Sequence, residues 1–278
     1  MKSKRLGSEI IRLALPATIE NIFQTLVGFF DTLLIAQLGL VAVTAVGLAN
    51  TILNVYLAVF LAIGVGGTAL IARSLGAGQK EKARQYARQT QELSIAGGIV
   101  FGFISIFFGR WMLQAMGASG SALEDAQVFF YWVGGFSLLH ASMTSLGTIL
   151  RATGDTVTPM KVGIITNVTN VLLDYFLIFG FGSWDGLGIL GTALGTIFAR
   201  LLGCYLLTRE VQKSELALSF QKNRLRKDYQ ELVHVTIPAA LERLVMRLGQ
   251  VIYFSLIVAL GTNVYASHMI AGNIESFT

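Results

Sequence analysis

Two carboxylates, Asp31 and Asp174, lie inside long apolar runs of the sequence. An ionisable side chain in such a run is costly to keep in a membrane, so it is a candidate functional group. Neither residue has a basic residue three or four positions away with which to pair along a helix. In a poorly hydrated cavity, a carboxylate can take up a proton, or it can coordinate a sodium ion together with amide and hydroxyl oxygens. The chemistry that these residues suggest is therefore reversible cation binding.

Polar residues precede both carboxylates at helical spacing. On the first run, Asn21, Gln24, Gly28 and Asp31 are separated by 3, 4 and 3 positions, which places them on one helix face. On the later run, Asn167, Asn170 and Asp174 are separated by 3 and 4 positions. Two polar stripes, each ending in a carboxylate near the outer end of its span, suit the wall of a wet cavity. The alternative is that the carboxylates only form hydrogen bonds between helices.

Other polar residues are weaker candidates for lining such a cavity: Asn50, Asn54, Tyr131, His140, Thr192 and Thr196. The asparagines and threonines suit hydrogen bonds between helices about equally well. A lone histidine is more often a packing or hydrogen-bonding residue than a ligand. The sequence predicts no catalytic residue and no dedicated metal site, although Asp31 and Asp174 could coordinate sodium.

The elements that carry these residues must lie in a lipid bilayer. Apolar residues make up 54% of the 278 residues and charged residues only 13%, whereas about 25% of a soluble domain is charged. The net charge of +5 does not indicate a nucleic-acid partner, because the basic residues lie between apolar runs. The single cysteine, Cys204, excludes an internal disulfide framework and is expected at a helix contact. The sequence predicts an all-α integral membrane protein with lipid as its solvent.

A spanning helix needs about 20 apolar residues, and the sequence contains seven such runs and the start of an eighth. The predicted spans are 13–38, 44–72, 91–115, 126–150, 160–181, 187–208, 232–260 and 264 onward. The breaks between them are short and rich in glycine, except for two charged segments around 76–88 and 210–230. Residues 79–84 suggest a short amphipathic helix at the interface.

The basic residues predict the orientation. With the N-terminus in the cytoplasm, only Arg110 of the 21 lysines and arginines falls on the outer side. Basic residues concentrate in cytoplasmic loops, so the reversed orientation is discarded. The sequence therefore predicts a multi-pass protein of the cytoplasmic (inner) membrane.

An internal repeat divides the chain. The segment around Pro16 and Glu20 recurs around Pro238 and Glu242, at an offset of 222 positions that also aligns Gly39 with Gly261. Both prolines are expected in the first turn of their helices, where the two glutamates would favour the positive end of the helix dipole. Both copies begin on the cytoplasmic side, as in the parallel repeats of secondary transporters.

The repeat sets the expected domain organisation. We expect a six-helix N-terminal lobe over residues 1–222 and the start of a C-terminal lobe over 223–278, with helix 7 and part of helix 8. A second unit as long as the first would bring the chain to about 444 residues, so we expect this sequence to be a fragment.

Five motifs in order resemble one family, the multidrug and toxic compound extrusion (MATE) transporters, in their DinF-like branch. The motifs are Leu13–Gly39, Gly64–Gly78, Leu150–Met160, Asn170–Asp174 and Leu187–Ala193. The resemblance implies twelve helices in two lobes and export of organic compounds against entry of protons or sodium ions. It also implies that Gln24, Asp31, Asn170 and Asp174 take part in ion coupling and substrate release.

We therefore expect a secondary active exporter of small cationic or amphipathic molecules, driven by a proton or sodium gradient. We expect a monomer that needs no cofactor and no nucleic-acid partner. One alternative is a flippase for a lipid-linked precursor from the same superfamily, which the acidic charges expected inside the spans of the first lobe disfavour. A membrane-embedded enzyme is a weaker alternative, because the sequence has neither an HExxH nor a Gly-x-Ser-x-Gly motif.

Overall fold

The computed structural model describes residues 2–181, 184–218 and 229–275. The expected domain boundary at 222/223 lies outside these residues, as do the four basic residues between 222 and 227. The described chain is helical apart from a two-stranded hairpin of two residues in each strand, β1 (Gly180–Phe181) and β2 (Trp184–Asp185). The helices are α1 (Lys2–Ala36), α2 (Leu40–Gly76), α3 (Lys80–Ala115), α4 (Gly120–Gly135), α5 (Ser137–Ala152), α6 (Val157–Phe179), α7 (Ile189–Lys213), α8 (Gln230–Ala259) and α9 (Thr262–Glu275).

The first six predicted membrane spans are confirmed in the described part of the chain. The predicted seventh span and the start of the eighth form the helices α8 and α9, which are not among the described helices that are long and apolar enough to cross a bilayer. Five of its helices are long and apolar enough to cross a bilayer, and α4 with α5 makes a sixth span that is bent by 48°. The span predicted over 126–150 is thus two helices rather than one, because Gly134 and Gly135 precede the bend and glycine pairs weaken a helix. Ser137 donates a hydrogen bond to the carbonyl of Gly134 at 2.5 Å. The bend places His140 on α5.

The segment around 79–84 is not a separate interfacial helix. It forms the first turns of α3, which runs without a break from Lys80 to Ala115. Its charged side chains form ion pairs around the same end of the bundle: Lys80 with Glu215 at 2.8 Å, and Arg84 with Glu81 at 2.7 Å. The helix continues because none of its residues near 88–91 is a glycine or proline that would break it.

The most buried helix is α2, which packs against α3, α4, α5, α8 and α9. Glycines allow several of these close contacts. A Cβ on Gly66 would lie 2.6 Å from Thr236 Oγ1 of α8, and a Cβ on Gly102 of α3 would lie 2.6 Å from the carbonyl of Gly135. The first of these contacts ties the helix that opens the second repeat to the first six spans.

The two repeat copies share a backbone feature. Gly39 connects α1 to α2 with a φ of 113°, and Gly261 connects α8 to α9 with a φ of 122°. This left-handed region strains any side chain, which explains a glycine at both positions. The prolines are not in first turns, however, because Pro16 and Pro238 lie inside α1 and α8. Glu20 and Glu242 are therefore far from the starts of α1 and α8, and the expected dipole role was wrong for both.

Candidate functional site

The side chain of Asp31 presents an oxygen that lacks a partner. The residue lies five positions before the end of α1, about 8 Å from that end. Its Oδ1 atom is buried and accepts no hydrogen bond from the described residues. A buried polar atom is normally satisfied by a partner, so this oxygen is free to bind a proton or a cation.

Asp174 lies at the matching position of α6, five residues before its end, and its side chain is only 1% exposed. Asn170, one turn earlier, donates a hydrogen bond from Nδ2 to Asp174 Oδ1 at 3.1 Å. Across the helix contact lies Gly195 of α7, where an added Cβ would overlap Asp174 Oδ1. The Asp174 carboxylate thus accepts a hydrogen bond from an amide on its own helix and fits into the space left by a glycine of the next helix.

The two carboxylates lie on helices that pack against each other. Helix α1 packs against α6, and the charges of Asp31 and Asp174 are close enough to interact. Two like charges in a poorly hydrated place repel each other, so one proton or one bound cation stabilises the pair. The arrangement can therefore bind and release a cation as the surroundings change.

Thr192 adds a second unpaired oxygen near this pair. It lies three positions before Gly195, on the same face of α7, and its Oγ1 is buried without a described partner. The hydroxyl of Thr196, in contrast, donates to the carbonyl of Thr192 at 3.0 Å. The sequence could not distinguish the two threonines, whereas the described structure gives the Thr196 hydroxyl a backbone acceptor and leaves the Thr192 hydroxyl without a hydrogen-bond partner.

The remaining polar sequence candidates have no described contact with the carboxylate pair. Asn21 and Gln24 have exposed side chains on α1, and Asn50 and Asn54 are exposed on α2. Asn167 is half-buried on α6, one turn before Asn170. These positions stay predictions for the wall of a larger cavity.

Two aromatic candidates lie elsewhere in the bundle. Tyr131 is exposed on α4, with its ring edge-on to that of Trp132 at 5.9 Å between centroids. His140 packs edge-on against Phe60 at 6.2 Å between centroids. No described contact joins either residue to the carboxylate pair, so both stay predictions for the wall of a substrate cavity.

Arg200 was expected at the inner side, but it is the twelfth of the 25 residues of α7, near the middle of the helix. Its charge acts on His140 and on Cys204. Cys204 donates from Sγ to the carbonyl of Leu139 at 3.2 Å, as expected for a residue at a helix contact. The expectation that the spans of the first lobe carry only acidic charges was therefore wrong.

Sequence reasoning missed Gly195, which makes room for Asp174. The signal was a glycine between two threonines on α7, in the run Gly191-Thr192-Ala193-Leu194-Gly195-Thr196. Small residues allow close helix contact in membranes, but the pattern does not say which side chain fills the space. Among the described residues, no three His, Cys, Asp or Glu side chains are arranged to hold a metal ion.

Comparisons with known proteins give consistent matches. A family model described as MatE matches residues 16–176. The probable multidrug resistance protein NorM of Thermotoga maritima is 32% identical over 281 residues, and the match covers 98% of this chain and 59% of that protein. The uncharacterized transporter YisQ of Bacillus subtilis is 30% identical over 271 residues, covering 96% of this chain and 60% of that protein.

The fold also matches solved structures. A structure of the MATE multidrug transporter DinF-BH, determined as a complex, superposes with a TM-score of 0.90 at 23% identity. The superposition covers 97% of this chain and 61% of that one. The chain therefore spans about 60% of the length of the relatives it matches.

Proposed function

The chain belongs to the MatE family, and we propose that it forms the first lobe and the opening of the second lobe of a secondary active exporter. The family consists of multi-pass membrane transporters, which are not enzymes. In our proposal, residues 1–222 make the six-span lobe and residues 223–278 begin the second, since the features around Pro16 and Gly39 recur around Pro238 and Gly261. The protein is proposed to act as a monomer in lipid.

One observation carries the proposed ion coupling: the unpaired, buried Oδ1 of Asp31 beside the carboxylate of Asp174. A proton bound there would neutralise one of the two charges. Hard cations such as sodium prefer oxygen ligands. The two carboxylates would supply oxygen ligands for a sodium ion, and the Thr192 hydroxyl would supply a further one. Either ion would enter from outside, because both residues lie near the ends of α1 and α6 that we assign to the outer side.

The site also suggests the class of substrate. While both carboxylates are ionised, they attract an organic cation, and neutralising them weakens that attraction and favours its release. We therefore propose cationic or amphipathic small molecules as substrates. The probable multidrug resistance protein of Thermotoga maritima, which this chain resembles, supports small molecules as the broader class.

The proposed orientation rests on the clustering of basic residues at one end of the bundle. The antiparallel helices bring together the ends that carry Arg73, Arg88, Arg151, Lys161 and Lys213, while Arg110 lies at the opposite end and donates to Gln127 at 2.8 Å. Positive residues favour the cytoplasmic side. We propose that this end faces the cytoplasm, with the protein in the cytoplasmic membrane.

The flippase alternative is favoured by one feature, Arg200 in the middle of α7. A guanidinium inside the membrane can bind the phosphate head group of a lipid-linked precursor. Replacing Arg200 with Gln in the full-length protein separates the two functions. A flippase would lose lipid translocation, whereas an exporter that couples through Asp31 and Asp174 would keep ion-driven efflux of a cation.

The exporter is tested with the full-length protein in everted membrane vesicles, whose outer face is the cytoplasmic one. A cationic fluorescent dye is added to the medium, so that export is measured as uptake of the dye into the vesicles. The proton gradient and the sodium gradient are collapsed separately with selective ionophores. We expect transport to stop when one of the two gradients is removed and to persist when the other is removed. Transport that continues after both gradients are collapsed would rule out the proposed ion coupling.

A further inference from the structure

An ion pair connects α1 to α5 well below the carboxylate site. Arg151, the second last residue of α5, donates from Nη2 to both carboxylate oxygens of Glu20, at 2.7 and 2.8 Å. Both side chains are shielded in part, with 37% of Arg151 and 23% of Glu20 exposed. Hydrogen bonds between charged groups are stronger than neutral ones, and shielding preserves that strength.

Glycines make room for both partners. A Cβ on Gly147 would lie 3.2 Å from Arg151 Nη1, and a Cβ on Gly163 of α6 would lie 3.4 Å from Glu20 Oε1. The Arg151 guanidinium thus packs against α5, and the Glu20 carboxylate packs against α6. A larger residue at either glycine would push on one of the charged groups.

Among the candidate spans of the described chain, α1 is the least buried. Only 6% of the apolar window of its span is buried, against 56% for α2. Pro16 lies inside α1, where it removes one backbone hydrogen bond and weakens the helix. Glu20 follows one turn later, so the ion pair fixes the part of α1 that lies directly above this weak point.

Glu20 and Asp31 point in the same direction from α1. They are 11 residues apart, which corresponds to three turns, and the second residue is rotated by only about 20° from the first. The distance along the axis is about 16 Å. Any rotation of α1 about its own axis would therefore move both side chains together, and fixing one of them fixes the direction of the other.

We propose that Glu20 and Arg151 are positioning residues, which set the rotation and depth of α1 so that Asp31 faces Asp174. The pair does not touch the coupling ion. It acts at a distance, through the rigid helix between Glu20 and Asp31. The consequence for transport rests on the proposed function, whereas the geometric claim about α1 does not.

The geometry is tested by cross-linking in the full-length protein, with Cys204 and any other native cysteine replaced by Ser and with Asp31→Cys and Asp174→Cys introduced. A short bis-methanethiosulfonate reagent joins the two introduced thiols when α1 presents position 31 to α6. With Glu20→Gln or Arg151→Gln added, we expect the cross-linking rate to fall about tenfold, the population change given by about 1.4 kcal/mol. The double variant should be no slower than either single one, because both remove the same pair.

Three further variants serve as controls for the cross-linking result. Arg151→Lys keeps a charged nitrogen donor and should recover much of the rate. Glu210→Gln removes an ion pair within α7, with Lys213 at 2.6 Å, and should leave the rate unchanged. If the Glu20 variant does not reach the membrane, Gly147→Ala keeps both charges, displaces the guanidinium and should also slow the reaction.

Unchanged cross-linking in folded Glu20→Gln and Arg151→Gln proteins would overturn the proposal. A fall caused equally by Glu210→Gln would also overturn it, since general destabilisation would then explain the loss. A transport assay with the native Asp31 and Asp174 separates the two claims. The Glu20 variant should need a higher ion concentration for half-maximal efflux, and a wild-type protein without ion-driven efflux would reject the proposed function but not the cross-linking result.

Discussion

Gly195 of α7 leaves the space that Oδ1 of Asp174 occupies, so that α6 and α7 approach each other closely at the level of this carboxylate. The contact holds Asp174 away from lipid and next to the α1 face that carries Asp31. The site therefore depends on the lack of a side chain at Gly195 as well as on the two charged groups.

Gly195→Ala should displace the Asp174 carboxylate, because the new methyl group would overlap Oδ1. Overpacking a tight contact costs about 1–3 kcal/mol, so we expect a lower melting temperature in detergent. We also expect ion-driven efflux to be lost or strongly reduced at normal expression.

The matched control is Gly76→Ala, at the end of α2 in the first lobe, where an added Cβ meets nothing within 4 Å. This variant should transport and unfold like the wild type. If Gly195→Ala behaved in the same way, Asp174 would not need the position that the structure gives it.

Asn170→Ala should change ion binding without changing the fold. The variant removes the hydrogen bond from Nδ2 to Asp174 Oδ1, which is 3.1 Å long. A hydrogen bond to a charged group contributes about 1.5–3 kcal/mol, so the ion concentration for half-maximal efflux should shift by about tenfold or more. The direction of the shift distinguishes the two ions.

If sodium is the coupling ion, the amide orients the carboxylate for it, and the variant should need more sodium. If the proton is the coupling ion, losing a bond to the ionised carboxylate should make protonation easier. An unchanged ion dependence would contradict a role for Asn170 in either case.

Tyr229, just before α8, should titrate far above the ordinary range of a phenol. Burial, followed by the hydrogen bond and the charge of Glu92, raises its pKa from 10.0 to about 12, while Arg88 opposes the shift. Because the folded-state pKa is the higher one, the contribution of Tyr229 to stability is full below pH 10 and is lost as the pH rises through 12.

The measurement is a spectrophotometric phenolate titration of the folded protein against Tyr229→Phe. The difference between the two curves should have a midpoint at about pH 12. A midpoint near the ordinary value would show that Tyr229 does not donate to Glu92 in solution, and that the contact between the start of α8 and α3 is open.

Helix content, repeat and family could be predicted because apolar runs and glycine breaks act locally along the chain. The first span illustrates what could not be predicted. α1 begins at Lys2 rather than at residue 13, because a charged segment can continue a helix once the apolar part has formed it. The sequence pattern predicts that the helix begins at residue 13, which would put Pro16 in its first turn. In the structure Pro16 lies well inside α1 instead.

The site was only partly predictable for a different reason. Asp31, Asn170 and Asp174 stand out because charges and amides are rare in apolar runs. Gly195 and the ion pair between Glu20 and Arg151 depend on contacts between helices that are 21 to 131 positions apart in sequence. Helical spacing predicts the face that a residue occupies, but not which helix packs against that face.

The central claim is that Asp31 and Asp174 form one ion-coupling site, and the most direct measurement is ion-driven efflux by Asp31→Asn and Asp174→Asn in the full-length protein. Asn keeps the size of each side chain and removes its charge. Asp185→Asn, at the exposed hairpin residue, is the matched control. We predict that both site variants reach the membrane and lose ion-driven efflux of a cationic dye, while the control transports normally. Efflux by either site variant at the wild-type rate, still driven by the same ion gradient, would contradict the claim.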